Sequence, residues 1–131
     1  MNYPHIHFDG SPTHGKRLLV MVNDKPLALT TTGFEYLLRM AAVDGWIHRL
    51  DVDNGTRNAS RYLWLLNRDI IGQIGNDWSI YAGRGLSMVK LLHNGVTADV
   101  EQIEQIGLLE LTKLAKRINH ITSNRKEKAI K

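Results

Sequence analysis

Cysteine is absent from this chain of 131 residues, which removes disulfide frameworks, thiolate zinc sites and cysteine nucleophiles together. Long apolar runs are missing as well. No stretch approaches the roughly 18 consecutive apolar residues of a membrane span, and Met1 to Gly10 has neither the basic start nor the apolar run of a signal peptide. The expected location is the cytoplasm, with stability drawn from burial alone. Catalytic signatures are equally scarce: there is no glycine-rich phosphate loop, no Gly-x-Ser-x-Gly, no His-Glu-x-x-His and no suggestively spaced carboxylate pair. The chain therefore reads as a binding protein and not as an enzyme, with no cofactor expected.

What is present is ordinary globular material. A composition of 43% hydrophobic and 23% charged residues suits one folded domain with one core. The formal net charge of +4 is compatible with a polyanionic partner, and its distribution is more telling than its size. Between Val52 and Ile70 stand Arg57, Arg61 and Arg68, opposed only by Asp53 and Asp69 at the ends. Arg125-Lys126-Glu127-Lys128 forms a second basic cluster.

The first 15 residues, punctuated by Pro4, Gly10, Pro12 and Gly15, predict an extended or irregular arm. Lys16 to Val22 and Leu27 to Leu29 are apolar runs around Asn23-Asp24-Lys25-Pro26, the pattern of a hairpin. At Thr32 the period becomes helical: Phe34, Leu37, Leu38, Ala41 and Ala42 predict a helix from about Gly33 to Val43, with Thr32 and Glu35 as a capping box. Trp46, Ile47, Leu50 and Val52 form a short apolar segment with room for a turn or two of helix. A better helix is predicted from Asn58 or Ala59 to about Ile71, buried through Leu63, Leu66 and Ile70. Asp77 to Leu92 reads as a second hairpin around Gly83-Arg84-Gly85. A final amphipathic helix is expected from near Ala98 to about Ile121.

Strand pair, helix, short helix, helix, hairpin and helix in that order predict an α+β fold, a winged helix-turn-helix with a long C-terminal helix added. The expected division is an irregular arm at 1–15, a winged-helix unit at 16–95, an amphipathic helix at 96–122 and a flexible basic tail at 123–131.

Fold does not supply function, so the face of the third helix has to. With about 100° per residue, the face opposite Leu63, Leu66 and Ile70 carries Arg57, Arg61, Trp64 and Arg68, spaced four, three and four apart. An arginine fork can bind guanine or phosphate bidentately. Arg84 at the hairpin tip is placed to reach DNA backbone or a narrow minor groove, and Ser60 and Asn67 flank the stripe as smaller polar readers. A solvated arginine face is the plainer alternative. An exposed Trp64 argues for a covering partner.

Three segments resemble the DNA-binding effector domain of OmpR/PhoB-type response regulators. They are Leu29-Thr30-Thr31-Thr32-Gly33-Phe34-Glu35-Tyr36-Leu37-Leu38, Tyr62-Leu63-Trp64-Leu65-Leu66-Asn67-Arg68-Asp69-Ile70, and Trp78-Ser79-Ile80-Tyr81-Ala82-Gly83-Arg84-Gly85-Leu86-Ser87-Met88. Together they look like that family's first helix, recognition helix and wing, over about Lys16 to Leu92. The resemblance implies an N-terminal sheet, three helices and a wing, with duplex DNA bound by the third helix. Gly33 stands where the family usually has an acid, Leu86 where it usually has tyrosine, and the segment from Gly45 to Arg57 is shorter. The implied protein is a free-standing transcription regulator without a receiver domain.

The final helix, with Val100, Ile103, Leu111, Leu114, Ile118 and Ile121 on roughly one face, fits either a homodimer seam through residues 100–121 or a fold-back onto its own domain. His5, His7 and His14 offer an imidazole pair with a third nearby, but no carboxylate or cysteine stands at ligand spacing, so no metal is expected. Two other functions compete with sequence-specific duplex binding. One is a protein-interaction module anchored by Trp64 and Leu65. The other is a subunit that binds nucleic acid without sequence preference.

Overall fold

The computed structural model describes residues 4–43, 45–53, 58–83, 87–91, 93, 96–100, 116 and 118. It is a mixed α+β domain, and its first element falls inside the expected arm. His5-Ile6-His7-Phe8 alternates polar and apolar side chains, so an extended chain there has one buried face. This is β1 (His5–Phe8), with Ile6 and Phe8 completely buried. Next come β2 (Leu18–Val22) and β3 (Lys25–Leu29), antiparallel around Asn23, whose φ of 52° asparagine tolerates well. Asn23 also binds β1: its N–H donates to the His5 carbonyl at 2.8 Å and its side-chain oxygen accepts from the His5 N–H at 2.9 Å.

Helix α1 (Thr31–Ala41) starts two residues before the expected Gly33. Its cap is Thr30, whose hydroxyl oxygen accepts from the Gly33 N–H at 3.1 Å. A Cβ at Gly33 would sit 3.3 Å from that hydroxyl and 3.6 Å from Leu66, so the glycine lets cap and neighbouring helix approach together. Glu35 is not part of a capping box with Thr32; it pairs with Arg39 one turn later, while Arg39 Nη1 donates to the Val52 carbonyl at 3.2 Å.

After α1 come β4 (Ile47–His48), the five-residue α2 (Arg49–Asp53), α3 (Ala59–Ile74), β5 (Ile80–Ala82), β6 (Met88–Leu91) and β7 (Thr97–Val100). One sheet has the order β3-β2-β1-β7, and β7 lies parallel to β1; the other, antiparallel, has the order β4-β6-β5. The short segment between the longer helices therefore contributes both a strand and a helix.

Two expectations need correction. The arm at 1–15 is not wholly irregular, because β1 lies inside the four-stranded sheet between β2 and β7. Nor does a helix begin near Ala98: Ala98 pairs with Ile6 and Val100 with Phe8 as strand. Tertiary pairing overrides local helical spacing there, and a boundary at residue 95 would cut the sheet.

The core lies between this sheet and helices α1 and α3, where Phe8 and Phe34 meet edge to face at 5.3 Å. Ile118 is helical, 1% exposed and part of the same core, so at that position the chain folds back on its own domain. The rest of the expected C-terminal helix beyond Val100, and the basic tail, lie outside the described residues. Among the described residues no helix is long and apolar enough to cross a membrane.

Candidate nucleic-acid interface

Helix α3 divides along its length. Ala59, Leu63, Leu66, Ile70 and Ile74 are buried, whereas Ser60, Arg61, Trp64 and Arg68 are exposed. Trp64 is 62% exposed and the Arg68 guanidinium lies 5.4 Å from its ring centroid. A cation over an exposed indole contributes about 0.5–1 kcal/mol and leaves much of the ring uncovered. Arg57 and Arg84, the remaining members of the expected set, lie outside the described residues.

The acid beside this stripe, Asp69, is shared between two arginines. Asp69 accepts from Arg17 Nη1 at 3.2 Å and stands 4.0 Å from Arg68. Arg17 also donates to the Ala28 carbonyl at 3.1 Å. Gln73 completes the attachment of α3 to the edge strand β3: its amide nitrogen donates to the Ala28 carbonyl at 2.9 Å, and its oxygen accepts from the Ala28 N–H at 2.8 Å. The side-chain amide copies the bond pair that a further strand would make, so an otherwise open sheet edge holds the helix.

Asn67, expected as a polar reader, has a positioning role. It is half-buried, and its side-chain oxygen accepts from the backbone N–H of Ile80 at 2.8 Å, joining α3 to the first strand of the hairpin. Ser60 accepts from Arg49 Nη1 at 3.0 Å. Arg49 did not stand out in the sequence because it sits in the low-contrast segment between Trp46 and Val52; only the turn of β4 into α2 brings it beside α3.

Two recesses follow. A cleft of about 270 Å³ between α3 and the hairpin is lined by Arg49, Ser60, Trp64, Asn67, Ile80 and Met88, among others. A second, of about 300 Å³, opens at the start of α3 beside Arg49, Asn58, Ser60 and Arg61. The Asn58 side chain makes no capping hydrogen bond. Two guanidiniums beside the positive end of a helix of 16 residues create a field that attracts anions.

The N-terminal histidines form a separate cluster. Asp99, brought in by the parallel pairing of β7 with β1, receives His5 Nε2 at 2.5 Å and His7 Nδ1 at 2.6 Å. His5 Nδ1 meets Thr97 Oγ1 at 2.6 Å. These contacts clamp the two strands. His14 is exposed beyond the end of β1, and among the described residues no group of three His, Cys, Asp or Glu side chains is arranged to hold a metal ion. Asp9 nearby has its pKa lowered from 3.8, first by the Ser11 hydroxyl and then by the Ser11 N–H and His7, against a raising effect of burial.

No family model, no curated protein and no solved structure matches this chain.

Proposed function

We propose that the protein is a winged helix that binds double-stranded DNA sequence-specifically, with α3 in the major groove and the β5–β6 hairpin as the wing on the backbone, as a transcription regulator. Support for the architecture is the order α1, β4, α2, α3, β5, β6 with β4 paired to β6. The single observation that carries the function is the α3 face: Arg61, Trp64 and Arg68 exposed together, on a helix whose neighbouring acid, Asp69, is bound more closely by Arg17 than by Arg68. In this reading Arg61 and Arg68 contact bases or phosphates, and Arg49 with the start of α3 holds a backbone phosphate. Arg57 and Arg84 belong to the same reading by their places in the sequence alone, and the resemblance to OmpR/PhoB-type effector domains points the same way.

Selection of bound duplexes from a random pool tests it. Enrichment of a defined sequence is the expected result, and a palindrome would add a homodimer with half-sites about one DNA turn apart. Recovery of an unenriched pool would leave only binding without sequence preference. A second reading is favoured by the 62% exposure of Trp64: a protein-interaction module with Trp64 and the half-buried Leu65 as anchors. It predicts partner binding that is insensitive to salt and abolished by Trp64→Ala.

A further inference from the structure

Trp64 and Arg68 stand about one turn apart on the exposed face of α3, and the Arg68 guanidinium lies over the indole, 5.4 Å from its centroid. The attraction of cation to ring keeps a long side chain near one position. The charged neighbour of Arg68, Asp69, is 4.0 Å away and is held more closely by Arg17, at 3.2 Å. No bidentate carboxylate therefore closes the Arg68 fork. Arg61, on the same face, has no ring beneath it among the described residues.

Two different groups thus lie side by side: a fork of N–H donors and the uncovered remainder of an apolar ring. The indole is an exposed apolar surface on a face otherwise made of Ser60, Arg61 and Arg68. In a major groove the fork is matched best by guanine, which presents O6 and N7 together. The apolar feature that groove displays is the C5 methyl group of thymine. Stacked bases follow one another at about 3.4 Å, so groups 5.4 Å apart span one to two base steps.

We propose that Arg68 and Trp64 act as a pair that reads a guanine together with the C5 methyl group of a thymine one or two base steps away, Trp64 making the methyl contact and holding Arg68 in place. This rests on the duplex reading above and adds to it the base chemistry that α3 selects.

Selection of duplexes followed by fluorescence anisotropy tests it. The selected sequence should contain a guanine with a thymine one or two steps away. Deoxyuridine in place of that thymine removes one methyl group and no hydrogen-bonding group, and should weaken wild-type binding about fourfold. 7-Deazaguanine in place of the guanine removes the N7 acceptor and should weaken it about tenfold. Trp64→Ala should bind the thymine and deoxyuridine duplexes alike, Trp64→Phe should keep the preference, and Arg68→Ala should be indifferent to 7-deazaguanine, each measured at a salt concentration low enough for the variant to bind. A defined sequence with no thymine near its guanine, or a deoxyuridine loss that is the same in wild type and Trp64→Ala, overturns the methyl contact and leaves the duplex reading standing. An unenriched pool overturns both.

Discussion

The side-chain oxygen of Asn67 on α3 accepts the backbone N–H of Ile80 on β5 at 2.8 Å. The helix thereby fixes where the hairpin begins. Asn67→Ala leaves that N–H without its acceptor, at a cost of about 1–3 kcal/mol if water does not replace it. Faster hydrogen exchange at the Ile80 amide is expected, with α3 itself still helical and duplex affinity reduced because hairpin and helix no longer share one orientation. Unchanged Ile80 protection would remove Asn67 from this role.

The Tyr36 hydroxyl donates to the Asp53 carboxyl group, where the two residues are 2% and 1% exposed. This bond ties α1 to the last residue of α2. Tyr36→Phe takes away the donor and keeps the ring against Tyr62, 5.9 Å away between centroids. A loss of about 1.5–3 kcal/mol is expected, as for a hydrogen bond to a charged group. Denaturant unfolding should show it as a lower midpoint with an unchanged slope.

His93 lies 4.4 Å from Trp78 between ring centroids, and among the described residues its buried Nε2 has no hydrogen-bond partner. His93→Phe keeps the ring contact and removes the unsatisfied nitrogen. A gain of about 1 kcal/mol is expected, read as a higher Tm.

Acid sensitivity has one local source in Asp9, whose pKa is held below 3.8 mainly by the Ser11 hydroxyl. A carboxylate with a lowered folded-state pKa contributes stability above its unfolded pKa, and that contribution is lost as pH falls through the folded value. Ser11→Ala should move the Asp9 titration midpoint up toward 3.8 in a carboxyl-resolved NMR titration. A midpoint that stays in place would assign the lowering to the Ser11 backbone N–H and His7.

The helical elements were legible where the period was strong. Leu63, Leu66 and Ile70 face the core as their spacing requires, which puts Arg61, Trp64 and Arg68 on the opposite face. Boundaries were less legible, because Thr30 and Thr32 offer similar hydroxyls and only the backbone decides which one caps α1. β1 carried a visible alternation in His5-Ile6-His7-Phe8 that the flanking Pro4 and Gly10 obscured. β7 had no local signal, since its pairing partner is more than 90 positions away and a parallel ladder depends on tertiary contact. For the same reason Asp99 could not be foreseen between His5 and His7. Arg49 and the Asn67 bond to Ile80 emerge only when β4 pairs with β6 and brings α2, α3 and the hairpin together.

The proposed grip of the exposed α3 face on duplex DNA makes a quantitative demand on its arginines. Its most direct test is the affinity of wild-type protein and of Arg61→Ala with Arg68→Ala for a selected duplex at two salt concentrations, with circular dichroism confirming that both are folded. The expected result is a loss of about 1–3 kcal/mol for each arginine that reads a base, or a salt slope smaller by about one for each that meets a phosphate. Equal affinity and equal salt dependence for the two proteins would contradict it.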